Sequence, residues 1–73
     1  MTGPDFIAWQ GRLGLSIDDA ARVLDVSRRT ITNIRARGTP VPFATELACR
    51  WLEDHPGFVA DYLAASRHAD IFA

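Results

Sequence analysis

The sequence predicts an all-α fold, a compact bundle of about five short helices making one domain over residues 1–73. Three observations lead there. Apolar residues recur at spacings of three and four rather than alternating, which is the helical period and not the strand period. Stop signals at Gly14, Asp25-Val26, Gly38 and Asp54-His55-Pro56-Gly57 divide the chain into short segments. The 73 residues leave room for one unit, and 48% apolar with 23% charged residues is globular rather than disordered composition.

Each segment carries its own start and stop. Thr2 can cap the first helix, and Asp5 three residues later completes a capping box in its aspartate form. Phe6, Trp9 and Leu13 follow at i, i+3 and i+7 until Gly14 supplies a left-handed stop, after which Leu15 can fold back onto the last turn. Ser16 opens the second segment, with Asp19 three residues on and Ala20, Ala21 and Leu24 as its buried stripe. Ser27 caps the third, which runs from about Arg28 to Arg37, with Val26 and Ile31 placed as a hydrophobic staple. Thr39-Pro40-Val41-Pro42 is a stiff connector whose second proline suits the first turn of a fourth helix. There Leu47, Ala48, Trp51 and Leu52 recur at i, i+1, i+4 and i+5, and Phe58, Val59, Tyr62 and Leu63 repeat that spacing in a fifth. The sequence assigns no form to residues 66–73.

A domain this small rarely draws more than roughly 3–5 kcal/mol from its core alone. The single cysteine, Cys49, excludes an internal disulfide, and Cys49, His55 and His68 lack the number and spacing of a structural zinc site. Helix packing or a dimer is what remains. Cys49 reads as a small buried hydrophobe, Trp9 and Trp51 as core anchors, with an interface role as the alternative for Trp51. A signal peptide and an apolar run of membrane-spanning length are both missing, so a cytoplasmic protein that makes no membrane contact is expected.

The net charge of −1 conceals a pattern. Residues 26–45 hold Arg28, Arg29, Arg35 and Arg37 without an acid, a local +4, while the remainder has four arginines against nine carboxylates, or −5. All eight basic residues are arginine, the better fork for phosphate oxygens and guanine edges. A helical wheel of the third segment turns Ile31 and Ile34 inward and places Ser27 and Thr30 at the edges of the buried stripe. Arg29, Thr32 and Ala36 point most directly away, flanked by Arg28 and Asn33. That face offers base-reading groups: arginine can bridge guanine O6 and N7, asparagine adenine N6 and N7, and a threonine methyl can meet a thymine methyl. Amides at the capped ends, Ser16 and Ser27, suit phosphate, and Arg35, Arg37 and Thr39 are placed for backbone contacts. Between the second and third segments, Ala21 is small enough for a close, steep crossing and Asp25 tolerates a left-handed turn position.

The order Ile17-Asp18-Asp19-Ala20-Ala21-Arg22-Val23-Leu24-Asp25-Val26-Ser27-Arg28-Arg29-Thr30-Ile31-Thr32-Asn33-Ile34 resembles the helix-turn-helix of the Cro/CI-type regulators, the XRE or lambda-repressor-like family. Phe6-Ile7-Ala8-Trp9 through Leu13-Gly14-Leu15-Ser16, and the stretch from Gly38 to Leu52 with Val41-Pro42, look like that family's flanking helices. The resemblance covers Asp5 to Glu53 and lends nothing to residues 54–73. It implies a helix-turn-helix at about 16–37 whose Arg28–Ala36 helix enters the major groove of double-stranded DNA. Arg28, Arg29, Thr32 and Asn33 would read bases; Ser16, Ser27, Thr30, Arg35, Arg37 and Thr39 would hold the backbone. Three departures stand out. Ile17 replaces a frequent glutamine and loses one polar contact, Asp25 replaces the usual turn glycine, and Ile34-Arg35 replaces a frequent tryptophan-glutamate, adding positive charge.

Phe58, Val59, Tyr62, Leu63, Ile71 and Phe72 exceed what capping four short helices requires, so residues 56–73 are expected to form a homodimer interface. The alternative is that they complete the monomer's core. The expected function is a repressor, autorepression included, that binds a palindromic operator as a dimer. The alternative is a helical interaction module, an inhibitor or adaptor, that keeps this shape without binding DNA. Catalysis, a cofactor and a small-molecule ligand are not expected, because no nucleophile–base–orienter set or phosphate motif is present.

Overall fold

A computed structural model describes the backbone of residues 1–72 and the side chains through Ser66. Among the described residues all regular structure is helical: α1 (Gly3–Arg12), α2 (Ile17–Leu24), α3 (Arg28–Arg37), α4 (Phe43–Asp54) and α5 (Pro56–Phe72). The expected all-α bundle is what forms. None of these helices is long and apolar enough to cross a membrane.

The local signals act as the side-chain chemistry dictates. Thr2 and Asp5 form the reciprocal capping box, Asp5 N–H donating to Thr2 Oγ1 at 3.2 Å and Thr2 N–H to Asp5 Oδ2 at 3.1 Å. Gly14, at φ 65°, closes α1: its N–H donates to Gly11 O at 3.1 Å, and Leu15 N–H reaches back to Gln10 O at 3.0 Å. Asp25 does the same for α2 at φ 55° and ψ 46°, with Asp25 N–H bonded to Arg22 O at 3.3 Å and Val26 N–H to Ala21 O at 3.0 Å. It is the only non-glycine with positive φ among the described residues.

Phe6, Trp9, Leu15, Ala20, Ala21, Ile31, Ile34, Val41, Cys49, Leu52, Val59 and Leu63 form one core. α3 packs on α2 and α1, and α5 closes the bundle against α2 and α4. Gly3 lies hard against the end of α3, where an added Cβ would sit 3.0 Å from Ile34 O.

Two helices are rotated from expectation. On α4 the inward stripe is Cys49 and Leu52, with Ala48 half-buried, while Leu47 and Trp51 are each 48% exposed. Trp51 is therefore not a core anchor. The reason lies across the bundle, where the buried Trp9 indole N–H donates to Cys49 O at 2.9 Å. That bond turns the Cys49 face of α4 toward the buried indole, which leaves Trp51, two residues on, directed to solvent. On α5 the neighbours in each pair, about 100° apart on the helix, separate. Val59 and Leu63 enter the core, and Phe58 and Tyr62 stay outside. α5 also continues through the residues to which the sequence assigned no form, reaching Phe72, and Arg22 Nη1 donates to Ser66 Oγ at 3.1 Å from α2.

Replacing Asp25 by glycine should stabilise the protein by about 0.5–1 kcal/mol, since glycine carries no left-handed penalty. Asp25→Val should destabilise it by about 1–2 kcal/mol, both read from urea unfolding midpoints.

Three carboxylates make the fold sensitive to acid. Hydrogen bonds from the Thr2 amide, the Met1 ammonium and the Arg12 guanidinium hold Asp5, Glu46 and Glu53, respectively, below the usual carboxylate range. Their contribution is full above the unfolded-state pKa and is lost as pH falls through the lowered folded-state values. The melting temperature should therefore drop as pH falls below about 4. Glu53→Gln should flatten that drop.

Candidate nucleic-acid interface

α2 and α3 are joined by only Asp25-Val26-Ser27, so the turn determines how the second helix leaves the first. Ser27 Oγ accepts the Thr30 N–H at 3.1 Å and lies 3.0 Å from Thr30 Oγ1, a contact in which one hydroxyl donates and the other keeps its own proton for a further acceptor. The amides of Arg28 and Arg29 have no acceptor within the helix, and the first turn holds no acid. This end of α3 is accordingly a positive dipole terminus open to anions. α2 differs. Ser16 Oγ caps Asp19 N–H at 3.0 Å, but Asp18 and Asp19 sit in that first turn, so a phosphate approaching Ser16 meets two carboxylates.

With Ile31 and Ile34 buried, Arg28, Arg29, Thr32, Arg35, Ala36 and Arg37 are exposed on α3, and Thr30 and Asn33 are half-buried at its edges. Thr32 Oγ1 donates back to Arg28 O at 3.0 Å. Its hydroxyl is thus committed to the helix, which leaves the methyl as its group for a base edge. Among the described residues Arg29 and Arg37 engage no side-chain partner. Thr39, just past Gly38, is exposed in the connector.

Two residues outside the predicted set bear directly on this face. Asp18 Oδ1 lies 3.3 Å from Arg28 Nη1, a bridge between the beginnings of α2 and α3 whose members are 63% and 68% exposed. Gln10, buried on α1, donates from Nε2 to Leu15 O at 2.9 Å and accepts at Oε1 from Arg35 Nη1 at 2.7 Å. One amide therefore ties the α1 turn to the far half of α3 while leaving the charge of Arg35 uncompensated. The signal for Gln10 was its spacing: Phe6, Trp9, Gln10 and Leu13 fall at i, i+3, i+4 and i+7 on one face. Asp18 had no local signal, because its partner is ten residues away across a turn.

The other candidates sort by burial. Cys49 is fully buried, and desolvation pushes its thiol up to about 11, so it is a packing residue with little thiolate at neutral pH. His55 caps the end of α4, with Nδ1 2.7 Å from Trp51 O. Of the predicted interface set, Val59 and Leu63 are only 5% and 6% exposed within the single chain and belong to its core. Phe58 and Tyr62 remain exposed, Tyr62 Oη donating to Arg22 O at 3.3 Å. The side chains of Ile71, Phe72 and His68 lie outside the described residues. Of the four members with described side chains, two thus pack inside the monomer's core and two stay on its surface.

Compared with protein-family models, curated proteins and solved structures, the chain matches none. The chemistry of the α3 face rests on the residues that compose it.

Proposed function

We propose that this protein is a sequence-specific DNA-binding regulator of helix-turn-helix type, a repressor that acts as a homodimer on a palindromic operator in a prokaryotic cytoplasm. The observation that carries the reading is the α3 surface. Four arginines, an amide and a methyl-bearing residue share a ten-residue helix with an acid-free first turn and unsatisfied amides. In the major groove Arg28 and Arg29 bridge guanine edges, Asn33 meets adenine and the Thr32 methyl meets thymine. Ser27, Thr30, Arg37 and Thr39 line the backbone, and Gln10 holds Arg35 where a strand would pass. Occupying a promoter blocks polymerase without catalysis, cofactor or ligand, and the first promoter to examine is the protein's own.

A second reading, an interaction module with this shape and no DNA binding, is favoured by the exposed aromatic residues of α4 and α5 and by the net charge of −1. Binding to upstream and scrambled duplexes across a salt series separates the two. The operator reading expects upstream-specific binding that weakens steeply with salt. Arg28→Ala with Arg29→Ala should cost about 1–3 kcal/mol per lost base contact and erase the preference between duplexes. Arg37→Ala should weaken both duplexes alike and lower the log–log salt slope by about one. Equal, weak binding of the wild type to both would favour the interaction module.

Asp18 makes a sharper prediction. Its carboxylate competes with DNA for Arg28, so Asp18→Asn should tighten binding to scrambled duplex several-fold at low salt. Unchanged affinity for both duplexes would mean that Arg28 does not meet DNA.

A further inference from the structure

The exposed large apolar side chains are not scattered. Apart from Ile7, all of those among the described residues lie on α4 and α5. Phe43, Leu47 and Trp51 recur at i, i+4 and i+8, which puts them on one stripe of α4, with Phe43 70% exposed. At the corner the Trp51 ring stacks on His55 at 3.9 Å and meets Phe58 edge-on at 5.1 Å. Phe58 passes the surface on to Tyr62 at 6.0 Å. The strip is continuous across two helices, and the monomer's core does not use it.

We infer that this strip, and not the full set predicted from α5, is where a second copy of the chain docks across a twofold axis. Area is the first argument. Half-exposed aromatic and leucine side chains offer on the order of 100 Å² each, so the strip presents about 500 Å² of apolar surface. That matches the apolar share of the roughly 800 Å² that each partner buries in a standard interface.

Charge is the second. By helical phase Arg50 and Asp54 lie on the side of α4 that carries Phe43 and Leu47. Arg50 is held only loosely, 3.7 Å from Glu46. Two α4 helices crossing antiparallel bring Arg50 of each copy to Asp54 of the other, and carry Phe43 and Leu47 toward the other's α5 rings. One patch then complements itself, which is what an isologous interface requires. DNA would demand a surface of one sign instead.

The inference uses the operator reading only for its consequence, the pairing of two α3 helices, and its test needs no DNA. Sedimentation velocity of the full chain should give a two-chain mass at tens of micromolar. Phe43→Asp and Leu47→Asp should each weaken association roughly tenfold or more with far-UV circular dichroism unchanged. Trp51 fluorescence should shift to the blue as concentration rises, since Trp9 is already buried and contributes a constant background. Arg50→Asp and Asp54→Arg should each weaken the dimer, and the double charge swap should restore it, a rescue that only self-pairing produces. Should a variant unfold, Phe43→Ser, at the most exposed position of the strip, decides. A one-chain mass for the wild type at every concentration, or a two-chain mass that survives both aspartate substitutions, overturns the inference. Arg28→Ala with Arg29→Ala should stay dimeric, so loss of operator binding alone would sink only the DNA reading.

Discussion

The left-handed turn at Asp25 is the constraint from which the rest of the molecule follows. Three residues join α2 to α3, and they leave the direction of α3 little freedom: Val26 N–H is bound back to Ala21 O before Ser27 has begun the next helix. Such a turn brings two backbones close, which Ala20 and Ala21 permit because they carry almost no side chain. The wedge below is then filled by Ile31 and Ile34, both essentially fully buried. Once those two face inward, the helical period sends Arg29, Thr32 and Ala36 outward without further specification. One backbone conformation, adopted by a residue other than glycine, thus determines which surface of α3 the protein presents.

What the sequence disclosed and what it withheld divide by distance. Caps and stops involve groups within a few residues of each other, so Thr2, Ser16, Ser27, Gly14 and Gly38 could be interpreted one at a time. The phase of α3 was equally legible, because two isoleucines define a single inward direction. The phase of α4 was not. Leu47, Ala48, Trp51 and Leu52 compete with Ala48, Cys49 and Leu52 as inward stripes, and the larger side chains favour the first. The decision belongs to the Trp9 indole, which needs an acceptor and finds it on the backbone at Cys49, forty residues away. α5 likewise runs past Ser66 although serine is a mediocre helix former, and the Arg22 bond to that serine is a tertiary contact that no local propensity contains.

The candidate site was legible to the same degree. Its residue types and spacing were visible on one helix, but the groups that tune it arrive from elsewhere. Gln10 reaches Arg35 from α1, and Asp18 reaches Arg28 from α2. The two act in opposite senses. A neutral amide orients its arginine and leaves the charge available, whereas a carboxylate offsets part of it until something more negative displaces it.

This division also explains how a protein with a net charge of −1 can present a cationic face. Three of its nine carboxylates are engaged away from α3: Glu53 grips Arg12 through two hydrogen bonds of 2.6 and 3.1 Å, Glu46 holds the Met1 ammonium and Asp5 the Thr2 amide. All three lie on the α1–α4 side of the bundle. Four arginines on a single short helix repel one another, but exposed side chains in water at physiological salt feel that repulsion weakly, with screening over about 8 Å. A phosphate backbone lying against α3 is within that distance of the arginines, and the distant carboxylates are largely screened from it. For such a ligand the local charge of the helix would outweigh the opposing sum over the chain.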